Sequence, residues 1–555
     1  MKKIILLFLT SMLIYSGIAQ VAPNKYYIQF TDKNNSPYSI DQPEEFLSQR
    51  AIDRRDRFGI EITEQDLPVN PQYISGVASE GAAILNPTKW LNGVTVFTSS
   101  PAVIDAILAL SYVEGVYALN GRGTSEADGD EKEFFKQEFY EPLVEEIIPE
   151  KNATLLDYGM AYNQIHMLRG EDLHNMGLTG SGMVIAVLDA GFYGTDQHIA
   201  FDSLFANGQI LGTKDFVAHS GTVYDYHTHG TAVLSTMGAN VPGQMVGTAP
   251  HADYWLLRTE DGASEYIIEE YNWVSGAEYA DSAGADVINS SLGYTTFDDA
   301  LQDHSYEDMD GNTTPITIGA DIAADKGMLV VNSAGNSGND SWYYIGAPAD
   351  GNYVFSIGAV DADGNLASFS SRGPTYDGRI KPNVCAQGAG TLVADPFGSF
   401  TYGNGTSFSS PIIAGMSACL WQGVPEKTNL EIMDALMENG SYSINPNNNY
   451  GWGIPNYLDA YTILTVIEDS ALEEDALRLY PNPVVDQIKL ETGLSLENQT
   501  AIIRIFDQSG RVIKTYQKSP TEGSIYIGGL EQISRGVYFL QLQNDKTSKT
   551  VKFIK

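Results

Sequence analysis

Residues 184–189 read VIAVLD, an unbroken apolar run that ends at an aspartate. Four later runs have the same character and are separated by helix-sized intervals: YWLL at 254–257, DVIN at 286–289, MLVV at 328–331 and VFSI at 354–357. Strands covered by helices on both faces show continuous rather than alternating apolar patterns. We therefore predict a doubly wound parallel α/β sheet over residues 155–466, with its functional residues just beyond the carboxyl ends of the strands.

Three candidate residues lie at a strand end or at the start of a helix. Asp189 ends the first apolar run, His229 precedes an apolar helix in DYHTHGTAV (225–233), and Ser407 opens another in GNGTSFSSP (403–411). Each residue taken alone is explained at least as well by a helix cap, a turn or a structural histidine.

A fourth segment makes one site out of these separate features. The run at 328–331 continues as NSAGNSG, which contains Asn336. Acyl transfer through a serine alkoxide needs hydrogen-bond donors aimed at the developing oxyanion, and a side-chain amide beside a backbone N–H supplies them. Gly405 would let a substrate backbone approach Ser407, and the helix start would direct free N–H groups at the same place. Pro411 has no N–H to donate to the Ser407 carbonyl, which predicts a bent first turn.

The order and the surroundings of these residues resemble those of the subtilisin-like serine proteases, the subtilases. The matching catalytic motifs are DAG at 189–191, HGT at 229–231, AGN at 334–336 and GTSFSSP at 405–411, and the framework segments are VGTAP at 246–250, NSSLG at 289–293 and FSSRGP at 369–374. The resemblance covers the whole central region. It implies a serine-type endopeptidase (EC 3.4.21.-) that hydrolyses peptide bonds in proteins through an acyl-enzyme.

The resemblance also implies a role for each candidate residue. Ser407 would be the nucleophile, His229 the general base and later the acid, and Asp189 the group that orients the imidazole. Asn336 and the Ser407 N–H would form the oxyanion hole. By position, Ser291, Leu292 and Gly293 would form the edge that pairs with an extended peptide substrate.

Two residues depart from the usual subtilase pattern, and calcium binding has no support. Ala190 stands where Thr or Ser is usual, and Phe408 stands where Met is usual. The loop at 238–245 lacks the oxygen-rich character of a calcium loop, so we expect no required cofactor and regard a structural calcium as unsupported. The segment 308–312 (DMDGN) is either part of a calcium site or an ordinary Asx turn, which is the favoured interpretation.

The two ends of the chain indicate export. Residues 1–19 combine a basic start, a short apolar run and small residues before Gln20, as in a secretory signal peptide and not a membrane anchor. Residues 477–555 predict a small β-sandwich. The segments LYPNP (479–483), GVY (536–538) and KFIK (552–555) resemble the C-terminal sorting domain of the type IX secretion system. That resemblance implies passage across an outer membrane to the extracellular side or the cell surface, with the secretion machinery as a partner.

Residues 20–120 predict a small α+β domain that resembles a subtilase propeptide, which acts as chaperone and inhibitor. We expect strands at 26–30, 93–98 and 113–117 and helices at 43–58 and 101–110. Residues 121–154 have the composition of an acidic, cleavable linker. The arginines in the first helix form either a solvated face or a partner for acidic groups elsewhere: Arg50, Arg54, Arg55 and Arg57.

Charge and cysteine content exclude several other classes of protein. The 32 basic and 70 acidic residues give a net charge of −38, which disfavours binding to nucleic acid or to anionic membranes. Two cysteines cannot form a disulfide-stapled scaffold or a four-cysteine zinc site. Cys385 and Cys419 are either a disulfide or, as we favour, two buried thiols.

Two alternative functions stay open at this point. His227 and His229 in an His-x-His arrangement, with Asp189, would suit a metal-dependent hydrolase, although no His-Glu-x-x-His motif accompanies them. A catalytically inactive, peptide-binding surface protein would keep the fold but would have lost a triad residue, and none is missing. A serine-directed reagent distinguishes both alternatives from a serine protease.

Overall fold

The computed structural model describes residues 24–119, 132, 154–465, 478–480, 484, 487–491, 500–507, 511–520, 524–534, 536–543 and 548–555. The chain divides into two compact units, Met1–Thr465 and Val466–Lys555. The predicted signal peptide at 1–19 lies outside the described residues, as does most of the predicted linker at 121–154. Within the described part of the chain, no helix combines the length and the apolar character needed to cross a membrane.

The N-terminal part of the first unit is a four-stranded antiparallel sheet with three helices. Its elements are β1 (Lys25–Phe30), α1 (Gln49–Phe58), α2 (Pro71–Ser79), β2 (Ala83–Thr88), β3 (Gly93–Phe97), α3 (Pro101–Leu108) and β4 (Val113–Ala118). The strand order is β2-β3-β1-β4, and the core includes Ile28, Val94 and Val96. The α+β prediction is therefore confirmed, whereas α2 and β2 were not predicted.

The helix predicted at 43–58 is wrong in its first turns. Helix α1 begins only at Gln49, because the Ser48 side chain accepts a hydrogen bond from the Ala51 N–H and caps the helix there. Pro43–Glu45 forms a separate short 3₁₀ turn. Elsewhere in this region the helix starts follow the sequence, since α2 and α3 each have proline in the first turn.

The central part of the first unit is built around one large sheet. The strands are β5 (Val184–Asp189), β6 (Ile210–Asp215), β7 (Asn240–Val241), β8 (Met245–Val246), β9 (Asp253–Arg258), β10 (Val287–Ser290), β11 (Leu329–Ser333), β12 (Phe355–Val360), β13 (Val384–Gln387), β14 (Thr391–Ala394) and β15 (Phe400–Gly403). The helices are α4 (Tyr162–His166), α5 (Gly170–Asn175), α6 (Asp202–Ala206), α7 (His229–Gly238), α8 (Ile268–Ala283), α9 (Pro315–Asp325), α10 (Thr406–Gly423), α11 (Asn429–Glu438) and α12 (Tyr457–Thr465). Seven strands pair in parallel in the order β13-β12-β11-β10-β5-β9-β6.

Strand β5 lies inside this sheet and is fully buried, as its unbroken apolar pattern predicts. Val184, Ala186 and Leu188 pack in the core formed with α8 and α9. Ile185 and Val187 point to the opposite face and pack with α7 and α10. Helices therefore cover both faces, and the doubly wound parallel fold is confirmed.

The second unit consists of two small antiparallel sheets. Its strands are β16 (Arg478–Tyr480), β17 (Ile488–Glu491), β18 (Ala501–Phe506), β19 (Val512–Lys518), β20 (Ser524–Ile527), β21 (Val537–Gln543) and β22 (Ser548–Ile554). The sheet orders are β16-β17-β20 and β19-β18-β21-β22. Residues of both sheets, such as Ile488 and Ile503, share one apolar core, as expected for a β-sandwich.

Candidate active site

Three neighbouring strands bring three of the predicted residues to the same edge of the large sheet. Strands β11, β10 and β5 are adjacent and parallel, so Asn336, Ser291 and Asp189 all lie at their carboxyl ends. Asp189 is the last residue of β5 and is completely buried. Its carboxylate accepts a hydrogen bond from the Ala190 N–H at 2.8 Å, and its carbonyl accepts one from the Thr259 N–H at 3.0 Å.

His229 is the first residue of α7, as predicted, and its ring is held by Asp189. The Nδ1 atom lies 2.8 Å from Oδ1 and 2.9 Å from Oδ2 of the Asp189 carboxylate. A carboxylate can only accept at neutral pH, so this contact places the imidazole proton on Nδ1 and makes Nε2 the basic nitrogen. Gly230 permits the close approach of the two segments, because a Cβ there would lie 2.4 Å from the Gly191 carbonyl oxygen.

Ser407 is the second residue of α10, and its surroundings follow from the proline four residues on. Pro411 lies inside the helix and has no N–H to give to the Ser407 carbonyl. The Ser291 hydroxyl donates to that carbonyl instead, at 2.9 Å. The Ser407 hydroxyl itself is buried and makes no hydrogen bond to the described residues.

Asn336 and the start of α10 are held together by Thr406. The Asn336 Oδ1 accepts from the backbone N–H and from the hydroxyl of Thr406, each at 2.9 Å. With Oδ1 engaged, the amide presents Nδ2 beside Gly405, which has a φ of +152°. A Cβ built on Gly405 would lie 3.7 Å from Asn336 Nδ2 and 3.7 Å from the Ser407 backbone nitrogen. Two donors therefore flank one point that only glycine leaves open.

The segment of Ser291, Leu292 and Gly293 directly follows β10 without continuing it as a strand. The carbonyl of Leu292 accepts from the Asn332 side chain at 3.0 Å, which fixes the segment to the neighbouring strand. Pairing of these three residues with a peptide substrate stays a prediction.

The other sequence features have simpler explanations. The His227 Nδ1 accepts from the His229 backbone N–H at 3.2 Å, whereas the His229 Nδ1 contacts Asp189, so the two imidazoles do not converge through these atoms. The Asp310 carboxylate accepts from the Asn312 N–H at 2.7 Å, as in an Asx turn. Cys385 and Cys419 are both buried and unpaired with each other, as favoured from the sequence.

Comparison with known proteins identifies the family. The model of the Subtilase family matches residues 180–453. The chain is 31% identical to subtilisin E of Bacillus subtilis over 315 residues, which are 56% of this chain and 73% of that protein. It is 31% identical to the subtilisin of Bacillus pumilus over 296 residues, 53% of this chain and 95% of that protein. The chain belongs to the subtilase family. It is a subtilisin-like serine endopeptidase.

Two further matches cover the flanking regions of this subtilase. The Peptidase S8 propeptide domain of Bacteroidota matches residues 25–133 and so reaches into the segment predicted as the acidic linker. The secretion system C-terminal sorting domain matches residues 478–555. The protease is thus made with a propeptide, and its type IX sorting domain indicates secretion to the outer surface or the extracellular side.

The subtilase propeptide packs against α8 of the protease through buried charges. Glu278 accepts hydrogen bonds from the backbone N–H groups of Lys89 at 2.7 Å and Trp90 at 2.9 Å. Arg54 and Arg55 are buried and both contact the Asp281 carboxylate. For these two arginines the solvated-face interpretation is wrong, because both are buried and share an acidic partner, Asp281, on α8.

The residue after Ser407, which is unusual for a subtilase, lies beside the imidazole of His229. Phe408 is fully buried, and its ring centroid is 6.5 Å from that of His229 in a stacked arrangement. It packs with Ala232 and Val393. Phe408 therefore packs beside the imidazole of His229. In the sequence, only its position directly after Ser407 indicated that Phe408 would lie near the site.

Proposed function

We propose that this subtilase hydrolyses peptide bonds through an Asp189–His229–Ser407 triad and an acyl-enzyme intermediate. The Ser407 Oγ attacks the peptide carbonyl carbon while the His229 Nε2 accepts the hydroxyl proton. The proton then passes to the leaving amine as the C–N bond breaks, and the acyl group remains on Ser407. Water, deprotonated by the same imidazole, attacks the ester and releases the acid product.

The observation that carries this proposal is the contact of both Asp189 carboxylate oxygens with the His229 Nδ1, at 2.8 and 2.9 Å. It fixes the tautomer in which Nε2 accepts a proton and stabilises the imidazolium that forms. Stabilisation of the oxyanion is assigned to the Asn336 Nδ2 and the Ser407 N–H, since both flank Gly405.

The substrates are proteins or peptides bound in extended form along Ser291, Leu292 and Gly293. This chemistry needs no cofactor, and no calcium is assigned. The domains follow the sequence interpretation: a signal peptide at 1–19, a propeptide at 20–120, a linker at 121–154, the peptidase at 155–466 and the sorting domain at 477–555. The propeptide inhibits the enzyme until it is removed, and the type IX machinery exports the chain.

Labelling of the processed protein with a fluorophosphonate tests this function. Such reagents react with an activated serine hydroxyl, so we expect the wild type to be labelled and to hydrolyse peptides. Ser407→Ala should lose both properties. Ser409→Ala is the matched control, because the Ser409 hydroxyl donates to the Thr406 carbonyl inside the same helix and should leave labelling intact.

Each alternative function predicts a different result. A metal-dependent hydrolase using His227 and His229 would hydrolyse peptides without being labelled and would lose activity with a chelator. A peptide-binding protein without activity would be neither labelled nor active in a correctly processed form. Either result would overturn the serine mechanism.

A further inference from the structure

Two buried glutamates and one partly buried glutamate form a pocket near the proposed catalytic residues. Among the residues that the structure describes, Glu260, Glu265 and Glu269 form the one acidic group whose carboxylate oxygens lie within 4.8 Å of one another. We call this group the glutamate pocket. Glu260 and Glu269 are each 2% exposed, and the side chain of Glu265 is 16% exposed.

The pocket belongs to the same edge of the sheet as the triad. Thr259, which donates to the Asp189 carbonyl, directly precedes Glu260. The Tyr294 hydroxyl donates to the Glu260 carboxylate, and Tyr294 directly follows the predicted substrate-pairing segment. A Cβ on Gly262 would lie 2.7 Å from Cδ2 of His227, two residues before the catalytic histidine. The pocket therefore lies between the loop after β9 and the segment after β10.

Three carboxylates held together largely away from water are unfavourable unless a cation joins them. Burial, opposed by the charge of Lys132, raises the pKa of Glu265 to about 8 and that of Glu269 to about 7. The backbone N–H groups of Asp261 and Tyr266 donate to Glu269 at 2.8 and 3.0 Å and hold its carboxylate in place. The Glu269 carboxylate is thus fixed in orientation, and the pocket favours the binding of a cation.

The structure contains the cation that occupies the pocket. The Lys132 Nζ lies 3.0 Å from Glu269 Oε2 and 3.5 Å from Glu265 Oε2, and it also contacts Glu260. Its side chain is only 4% exposed. Lys132 lies within the part of the chain that matches the propeptide domain, 137 positions before Glu269. The occupant therefore comes from a segment that maturation is expected to remove.

We propose that the glutamate pocket is a specificity subsite that binds the lysine or arginine side chain of a peptide substrate, and that Lys132 fills it in the unprocessed chain. This inference rests on the proposed peptidase function. Loss of Lys132 would leave three carboxylates open to another basic side chain from the peptide in the cleft. The ammonium group seen in the pocket, at hydrogen-bond distance from Glu269, defines the chemistry of the ligand.

Pairs of peptides that differ only in lysine or norleucine at one position test this subsite in the processed enzyme. Norleucine has nearly the shape of lysine without its charge. At one position of the peptide, we expect kcat/KM to be roughly tenfold to a hundredfold higher for lysine than for norleucine. Charge-assisted hydrogen bonds in a buried site provide a preference of this size. The measured quantity is the ratio of kcat/KM for the lysine peptide to kcat/KM for the norleucine peptide. A general loss of activity in a variant lowers both values equally and leaves this ratio unchanged.

Glu265→Gln is the first variant, because its side chain contacts Lys132 and, among the residues that the structure describes, accepts no hydrogen bond from a backbone N–H. The ratio should fall toward one in this variant and further in the double variant with Glu260→Gln. Glu307→Gln removes the same charge at an exposed position and should keep the wild-type ratio. A ratio near one at every position in the wild type would overturn the subsite, as would a ratio that Glu265→Gln leaves unchanged. If the proposed serine peptidase function itself fails, the fluorophosphonate does not react, whether or not either peptide is cleaved.

Discussion

The hydroxyl of Ser291 donates a hydrogen bond to the carbonyl oxygen of Ser407, at 2.9 Å. This contact joins the end of β10 to the first turn of α10. It is needed because Pro411 cannot give the helical hydrogen bond that the carbonyl would otherwise accept. One residue thus satisfies a buried backbone group and fixes the turn that carries Ser407, the proposed nucleophile.

We expect Ser291→Ala to lower the free energy of unfolding by about 1–3 kcal/mol, because it leaves a buried carbonyl without a donor. Urea denaturation of the Ser407→Ala chain, which cannot digest itself, measures this loss. Ser409→Ala is the matched control: its hydroxyl donates to the Thr406 carbonyl, which can also accept from its own helix. An equal loss in both variants would contradict the special role of Ser291.

Asn336→Ala should lower kcat by roughly 10²–10³-fold with little change in KM, as loss of one oxyanion donor does. The physical reason is that the amide contacts the developing charge and not the ground-state peptide. Steady-state kinetics on one peptide substrate checks this. Thr406→Val removes the hydroxyl that holds the Asn336 Oδ1 and should have a smaller effect on kcat. A change confined to KM in Asn336→Ala would remove Asn336 from the oxyanion hole.

Asp189→Asn should lower kcat by roughly 10⁴-fold, because an asparagine can donate to the His229 Nδ1 and so favours the wrong tautomer. Single-turnover kinetics with an ester and a peptide substrate measures the loss. Circular dichroism serves as the control for folding, since the substitution keeps the size of a buried side chain. Activity within tenfold of the wild type would show that another group orients the imidazole.

The sequence predicted those elements whose pattern depends on burial alone. Strand β5 is apolar at every position before Asp189 because helices cover both of its faces. Strand β2 was missed because it is an edge strand that contains Pro87, which is unfavourable inside a sheet. Helix α1 was predicted too long because Ser48, a helix cap, has no apolar signal of its own.

The family motifs were recognisable in the sequence because each lies in a short continuous segment. Contacts between charged residues were not, since the partners are far apart in the chain. Lys132 and Glu269 are 137 residues apart, and Arg55 and Asp281 are 226 residues apart. Only the packing of the propeptide on α8 decides which acidic group each basic residue meets.

Arg55→Met should weaken the association of the propeptide with the protease by about 3–5 kcal/mol, because Asp281 and Asp66 lose a buried partner. Arg55 contacts both oxygens of Asp281, each at 3.0 Å. The rate at which the freshly refolded chain becomes reactive to a fluorophosphonate measures the change, and we expect it to rise. Arg57→Met is the control, since Arg57 donates to the Pro425 carbonyl at 3.3 Å and forms no ion pair with the acidic residues that the structure describes. Equal rates in the two variants would contradict the prediction.

Acid should weaken the contact between the propeptide and α8 of the protease only at low pH. Burial alone would raise the pKa of Asp281, but the charges of Lys89, Arg55 and Arg54 hold it well below its ordinary value. A lowered carboxyl pKa stabilises the folded contact above the ordinary value, near pH 4, and that stabilisation is lost as the pH falls through the lowered pKa. The Ser407→Ala chain should therefore keep its propeptide packed at pH 5–7, as hydrogen exchange of α1 would report. Rapid hydrogen exchange of the α1 amides already at pH 6 would contradict this prediction.

The lysine preference of the glutamate pocket should increase with pH. The raised pKa values of Glu265 and Glu269, about 8 and about 7 with Lys132 bound, mean that protons compete with a basic side chain for these carboxylates. The neighbouring carboxylates of Glu260, Asp261 and Asp298 add negative charge that favours protonation further, and the Tyr294 phenol donates to Glu260. Lys25 is a nearby basic group that interacts with Glu269, and it belongs to the propeptide that maturation is expected to remove. A carboxyl with a raised pKa carries its charge only above that value, so the lysine-to-norleucine ratio of kcat/KM should rise between about pH 6 and pH 9. Taking the ratio removes any pH dependence that the two peptides share. A flat ratio over this range, in an enzyme that prefers lysine, would mean that the carboxylates are already ionised at pH 6.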